Sequence, residues 1–512
     1  MRAASIVLRI DGWLRQHVAG LVVFVALTGT VVVLNGARLK PFWHDEIYTI
    51  LMSRLPTLGA MWEASAAGVD LSPPLNLWLT RMVHAALGVG NPQTRIPAIL
   101  GFALTIAVAF TVLLRRAGAT AALSGALLPF FTAGLRYAYE ARGYGMMMGL
   151  SALSLYCWME VAAQRQRSRN LALLTLALAA SVWNHYFGVF AFAPIVAGEC
   201  ARVLRHRRFD TGVVLALAAA TCAAIPLHPL VRVSASQRLT FWSSVTPAAV
   251  IEVYRFLFDA LLSVPLILAA FAIAATLAAG FIIAPVRPGT SPDDRRVQTH
   301  EAVAIATAVA IPLLGVSIGG LITGVFVPRY ALSSVAGVSM AIPLIVWRAN
   351  TRRTPAELVM CATLVYFILA SVFSVVRSTD AGFQNPAIER PLLIQSLRSP
   401  SPTVVASSLQ FLQLWYYLPS ELKPRVRYLA DPAAALRWTG SDTFDLGYVA
   451  LAARTVVPVE SYAAFVAAHP TFRVYETGSG WLLSELASAG ARIEEIDREH
   501  GGKLYRVTMP GR

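Results

Sequence analysis

The sequence predicts a polytopic α-helical membrane protein with about eleven spans and a small α/β domain at its C-terminal end. Three observations lead there. Of 512 residues, 56% are hydrophobic and only 14% charged, and the mean hydropathy is +0.59. Runs of about 18 or more apolar residues, the length that crosses a hydrocarbon core as a helix, recur as far as residue 376. From Arg377 onward charges and prolines return, and the pattern changes to short strands and amphipathic helices.

The spans follow in order. Residues 1–17 form a short arm with Arg2, Arg9 and Arg15, and 18–36 is the first span. It reads as a retained helix, because no small-residue cleavage site follows it. Residues 37–95 are a long mixed loop in which Pro73 to His84 has the pattern of an amphipathic helix, with Ser72 as its cap and Pro73 at its first position. Ten further runs, 96–114, 119–135, 144–163, 171–185, 188–203, 212–231, 260–285, 302–326, 331–347 and 358–376, bring the spans to eleven. Residues 287–300 read as a flexible loop. The membrane part is thus 1–376, including the loop 37–95, and the remainder is 377–512.

The net charge is +15. In a soluble protein this would suggest nucleic acid, but here the arginines alternate from loop to loop. The connections at 115–116, 165–169, 202–208, 287–296 and 348–353 each carry two to four arginines, and the others are poorer per residue. The positive-inside rule puts these loops and the N-terminus inside and the C-terminal part outside, with no nucleic-acid partner needed. Cys157, Cys200, Cys222 and Cys361 lie in apolar runs without CxxC spacing and read as buried small hydrophobes.

In the C-terminal part, 403–406, 425–429 and 472–475 read as strands, and 460–469 and 480–489 as helices. Residues 493–497 and 503–507 flank Gly501-Gly502 as a hairpin. No solenoid repeat or low-complexity segment interrupts the chain.

The centres of the eleven runs hold no charged residue or histidine. Ion-coupled carriers place such groups near the midplane, so this pattern argues against a coupled transporter and for a site at the outer boundary. Four outer segments are chemically equipped: His44-Asp45-Glu46 after the first span, Asp70 with Ser72-Pro73-Pro74, Arg136 to Tyr144 including Glu140 and Arg142, and Arg329-Tyr330. His185 joins them from the break between the fifth and sixth spans. A carboxylate can take a proton from an attacking hydroxyl, and arginine forks can hold phosphate oxygens. Burial beneath the amphipathic helices would raise the Asp45 pKa. Plainer roles also fit. Asp45 and Glu46 suit a helix N-terminus, Arg142 and Arg329 suit headgroup anchors, Glu140 suits a partner for Arg136 or Arg142, and the tyrosines suit an aromatic belt. No HExxH, CxxC or P-loop pattern is present.

Trp43-His44-Asp45-Glu46, Ser72-Pro73-Pro74-Leu75, Tyr139-Glu140-Ala141-Arg142-Gly143-Tyr144 and Pro328-Arg329-Tyr330, in this order, resemble the integral-membrane GT-C glycosyltransferases, near the bacterial protein O-mannosyltransferases and the lipid A aminoarabinose transferases. The resemblance spans roughly the first 350 residues. It implies a transferase that takes a sugar from a polyprenyl-phosphate donor to a glycan, lipid or protein acceptor at the outer face of the bacterial inner membrane. It places the catalytic carboxylate at Asp45 with Glu46 beside it. The family's later acidic-arginine loop, which holds donor phosphate or acceptor, falls on Glu140 and Arg142; the outer segments themselves add Arg329, Tyr330 and Arg136 for donor or phosphate binding, with His44, Asp70, His185 and Tyr144 as further site candidates. A divalent metal remains open, since GT-C branches differ in metal dependence. The alternative is a non-enzymatic flippase or envelope-assembly component with the C-terminal part as a docking module.

Overall fold

The chain opens with a long helix, α1 (Arg2–Leu39), whose apolar stretch Ala19–Leu39 matches the first expected span. The computed structural model describes residues 2–243, 245–246, 248–258, 297–349, 354–478 and 480–511. Three short helices fill the loop after α1: α2 (His44–Ser53), α3 (Leu58–Ala66) and α4 (Leu75–Leu87). The helical bundle then continues through α5 (Asn91–Arg116), α6 (Ala119–Leu127), α7 (Gly134–Ala138), α8 (Tyr144–Ala162), α9 (Arg167–Asn184), α10 (Phe192–His206), α11 (Thr211–Cys222), α12 (His228–Ser236) and α13 (Ala249–Phe258). It closes with α14 (Thr299–Val309), α15 (Ile311–Ile318), α16 (Ser334–Ala349) and α17 (Thr354–Ala381).

Ten of the eleven expected spans fall on these helices. The span expected over 260–285, and the loop expected from 287 as far as 296, lie outside the described residues. By length and apolarity alone, five described helices can cross a membrane, or six if a bent pair counts as one. That pair is Thr299–Val309 with Ile311–Leu321, bent by 55° where Pro312 begins the second segment. Close backbone approach sets α5 against α8. A Cβ on Gly101 would fall on the Gly145 carbonyl and one on Gly145 on the Ala98 carbonyl, so only small residues fit this crossing. Cys157 is buried as expected, but Cys200 and Cys222 are exposed on the outer surfaces of α10 and α11. An apolar surface facing lipid accepts a small thiol as readily as a core does.

After α17 come α18 (Pro391–Arg398), α19 (Ser408–Tyr417), α20 (Pro432–Thr439), α21 (Thr443–Ala452), α22 (Tyr462–Ala468) and α23 (Leu482–Ser488) around a sheet. Its strands are β1 (Thr403–Val405), β2 (Val426–Ala430), β3 (Val459–Ser461), β4 (Thr471–Glu476), β5 (Arg492–Glu499) and β6 (Gly502–Thr508), in the order β3-β2-β1-β4-β6-β5. The first four are parallel, with Thr403 level with Val426 and Arg473, so each connection carries a helix. The terminal pair is the expected antiparallel hairpin, and Gly501 supplies the positive φ of its turn. The helix expected from residue 460 starts instead at Tyr462, because Val459 to Ser461 pair with β2.

One core joins the loop after α1 to the sheet. Phe42, Ile47, Tyr48 and Met52 pack with Val405, Phe411, Trp415, Tyr428 and Tyr448. The Phe42 N–H donates to the Tyr417 hydroxyl at 2.7 Å, and the Gln413 amide donates to the Phe42 carbonyl at 2.8 Å. The start of α2 is therefore held from the bundle on one side and from the C-terminal part on the other.

Candidate functional site

A cavity of about 750 Å³ lies where the start of α2, the turn before α4, the start of α8, the break between α9 and α10 and the segment before α16 meet. Helix α21 forms its wall on the C-terminal side through Thr443, Phe444 and Gly447. Asp45, Arg142, Tyr144, His185, Arg329 and Tyr330 face it, together with His44 and Asp70.

Asp45 and Glu46 are neighbours in sequence with separate surroundings. A helix turns about 100° per residue, so adjacent side chains leave it in different directions. Glu46 is fully buried and turned away from the cavity. Its Oε2 accepts from the Trp43 N–H at 3.3 Å and so caps α2. Arg95 grips both Glu46 oxygens, at 2.8 and 2.9 Å. Arg95 also donates to the carbonyls of Ala37 and Lys40 at 2.6 and 2.8 Å, and its guanidinium lies 4.7 Å from the Phe42 ring centre. A further bond runs from the Ala141 N–H to Glu46 Oε1 at 2.8 Å. Glu46 thus ties α2 to the segment that carries Arg142.

Asp45 keeps 22% of its side chain exposed. Its Oδ1 accepts from His44 Nδ1 at 3.1 Å, and its Oδ2 stands 3.8 Å from Arg329 Nη2. Burial pushes this carboxyl up, but the His44 bond and the Arg142 and Arg329 charges outweigh it and hold it at about 2. The expectation that burial would raise Asp45 therefore fails, because its cationic neighbours are closer than the sequence could show.

The two arginines are held differently. Arg142 forks onto Asp70 at 2.6 and 3.1 Å and donates to the Ser72 hydroxyl at 2.8 Å. Ser72 is consequently not the cap of α4, whose N-terminal boundary is Pro74. Arg329 donates from Nε to the Tyr144 hydroxyl at 2.7 Å. Its guanidinium lies within 5.7–5.9 Å of the ring centres of Trp43, Tyr144 and Trp242, an environment that suits a cation poorly covered by water. His185 accepts from the Phe187 N–H at 3.2 Å, and its ring packs 5.0 Å from that of Tyr330.

Besides Glu46, two predicted site residues stand elsewhere. Glu140 does not line the cavity; it faces Lys40 Nζ at 3.3 Å. Burial pushes its carboxyl up, Lys40 pulls it back, and Glu46 and Asp45 push it up again. Arg136 is exposed on α7 and is not a cavity residue. The cavity also contains residues that sequence reasoning missed, chiefly Arg238, Trp242 and Phe444. For Arg95 a signal existed: it is an arginine at the arginine-poor end of a span. Among the described residues, no group of three or more His, Cys, Asp or Glu side chains is arranged to hold a metal ion.

At the far ends of α5 and α8 stands a separate ionic layer. A helix of 26 residues is roughly 39 Å long, so this layer is remote from the cavity. Arg115 pairs with Glu160 at 2.7 Å, Arg116 pairs with Glu301, and Asp210 joins Arg167 to Arg202.

The helical order, the cavity and the sheet beside it define the GT-C fold of integral-membrane glycosyltransferases. The chain is similar to the structure of ArnT from Cupriavidus metallidurans in the apo state, with a TM-score of 0.61 and 13% identity over 95% of this chain and 98% of that one. ArnT from the same organism bound to undecaprenyl phosphate gives a TM-score of 0.59 and 15% identity over 95% and 98%. At these identities the likeness is one of fold. No protein-family model matches the sequence, and no curated protein matches it.

Proposed function

We propose that this protein transfers a sugar from a polyprenyl-phosphate donor to an acceptor hydroxyl at the outer face of the membrane. The observation that carries the reading is the placement of the Asp45 carboxylate 3.8 Å from Arg329, in an aromatic-walled cavity that Arg142 also lines. Arg329 holds the donor phosphate. Its Nε donates to the Tyr144 hydroxyl, and Nη2 faces Asp45. Arg142, committed to Asp70 and Ser72, keeps that wall in place and adds positive charge.

In the reaction the acceptor oxygen forms a bond to the anomeric carbon, and the bond from that carbon to the phosphate oxygen breaks. The acceptor proton goes to Asp45 Oδ2, and polyprenyl phosphate leaves with its new charge on Arg329. A carboxylate of low pKa is a weak base toward a resting hydroxyl. It becomes adequate as the new bond forms and the hydroxyl turns acidic. Arg329 and Arg142 both supply positive charge in this scheme. The ArnT fold solved with undecaprenyl phosphate supports a donor of that class here. The arginine-rich layer at the other end of α5 and α8 supports an outward-facing cavity.

The test is purified protein in lipid nanodiscs given a panel of undecaprenyl-phosphate pentoses and hexoses, with a bacterial envelope lipid fraction as acceptor. Release of undecaprenyl phosphate from at least one donor is expected. Donor binding with no release from any member of the panel would overturn the reading.

A further inference from the structure

The C-terminal part reaches the catalytic carboxylate through one side chain. His44 precedes Asp45 and is 5% exposed. Its ring lies among three others: Tyr48 at 5.0 Å from its own helix, and Phe444 at 5.3 Å and Tyr448 at 5.8 Å from α21. Both α21 rings meet it nearly at right angles, with interplanar angles of 83° and 87°. Tyr448 is itself anchored, donating to the Ser408 carbonyl at 2.5 Å and packing 4.6 Å from Tyr428 in β2.

The hydrogen bonds define what His44 does. Nδ1 faces Asp45 Oδ1 at 3.1 Å, and a carboxylate only accepts, so a neutral ring carries its proton on Nδ1. Nε2 is buried without a hydrogen-bond partner among the described residues. Leaving such an atom unpaired is unfavourable, and a site that tolerates it usually has another reason for the ring's placement. Here the reason is visible in Asp45. With Oδ1 taken by His44, Oδ2 is the oxygen turned toward Arg329.

We propose that α21 clamps His44, and that His44 in turn fixes the Asp45 carboxylate, so that the C-terminal part is an integral piece of the catalytic site. This rests on the transfer reading and adds a positioning residue to it. His44 holds Oδ1 and presents Oδ2 to the reacting centre, while Phe444 and Tyr448 hold His44.

The test uses the full chain and the donor that the panel identifies, read as polyprenyl phosphate release. His44→Phe keeps the ring packing and removes the donor to Asp45. It should lower kcat by roughly 10- to 100-fold, the scale of a misplaced reacting group, with the donor KM within about twofold. His44→Asn, whose amide N–H can stand near the Nδ1 position, should recover most of that loss. Phe444→Ala should also lower kcat, and the His44→Phe, Phe444→Ala double variant should be no slower than His44→Phe alone. Parental kcat in His44→Phe, or losses that multiply in the double variant, would overturn the proposal.

A parent protein that releases no polyprenyl phosphate would defeat the transfer reading instead, and the clamp is then decided by labelling. Diethyl pyrocarbonate acylates accessible unprotonated imidazole nitrogens. Peptide mass spectrometry should find His44 protected in the parent and modified in Phe444→Ala, with exposed His500 modified equally in both. Equal modification of His44 in the two proteins would show that α21 does not hold it.

Discussion

Arg95 and Glu46 form a fully buried pair, Nε to Oε1 at 2.8 Å and Nη2 to Oε2 at 2.9 Å, with neither side chain exposed. They lie 49 positions apart, one opening a membrane helix and the other capping the helix that presents Asp45. Together with the Trp43 and Ala141 N–H groups, Arg95 fills the carboxylate's bonding capacity, so Glu46 has no free oxygen for a substrate. Its work is to fix the distance between α2 and the Arg142 segment.

Glu46→Gln and Arg95→Met should therefore act on folding. Removing one partner of a buried pair strands the other charge, at about 3–5 kcal/mol. Both variants should lose detergent-extractable yield and unfold at lower temperature by scanning fluorimetry. The double variant Glu46→Leu, Arg95→Met should recover part of the loss, because it strands no charge. Glu46→Gln with parental stability and no turnover would restore Glu46 to a catalytic role.

Arg329→Lys keeps a positive charge but loses the Nε bond to Tyr144 and the planar fork over three rings. Its donor KM should rise and its turnover should fall by roughly 10- to 100-fold. Arg142→Lys should also be impaired, through loosening of Asp70 and Ser72. Parental kinetics in both would make these residues headgroup anchors.

Orientation is testable separately. If the ionic layer of Arg115, Arg116, Arg167 and Arg202 is cytoplasmic, the N-terminus is inside and the C-terminus outside. A periplasm-active reporter fused after Arg512 should then be active, and one inserted in the loop 287–296 should not. The reverse pattern would place the cavity on the wrong face for the proposed reaction.

What the sequence shows and hides has a physical pattern. The helices were legible because each apolar run is long enough to declare itself against water. Asp45, Arg142 and Arg329 were legible because charge is rare near the spans and clusters at one boundary. The division of labour between Asp45 and Glu46 was not, since side chains adjacent in sequence leave a helix in different directions and only Arg95, far along the chain, decides which is buried. Phe444 and Tyr448 were hidden because an aromatic face on a short helix reads as ordinary core. β3 was hidden because a three-residue strand exists only through its partner β2. Arg136 misled for the opposite reason: it belongs to a motif in sequence and to the surface in space.

The charge state of Asp45 makes a prediction about pH. Its carboxyl is held at about 2, below its ordinary value of 3.8, so it is ionised at every pH where the protein is handled. The stability this group contributes is full above about 3.8 and is lost as pH falls through about 2. The difference in unfolding temperature between the parent and Asp45→Asn should thus be constant from pH 8 to about 5 and shrink only toward pH 2. Activity should show no acid limb near pH 4–6 that Asp45→Glu shifts. A limb that moves with that substitution would mean Asp45 titrates in the working range.

Asp45→Asn is the decisive variant. The amide keeps the shape and size of the carboxylate and can still accept from His44 Nδ1, so α2 and the cavity wall should persist. What disappears is the charge that faces Arg329 and the oxygen that takes the acceptor's proton. General-base help of this kind is worth roughly a hundred- to ten-thousand-fold. Asp45→Asn should insert stably and unfold somewhat below the parent at neutral pH, bind undecaprenyl-phosphate sugar at least as well, and lose nearly all release of undecaprenyl phosphate. Binding is expected to hold because removing an anion beside Arg329 leaves that arginine freer for the donor phosphate. Glu46→Gln in the same assay should lose activity only in proportion to its loss of folded protein. Normal turnover by Asp45→Asn would remove the carboxylate from the chemistry. Loss of donor binding along with turnover would make Asp45 part of the binding wall, with the proton going elsewhere.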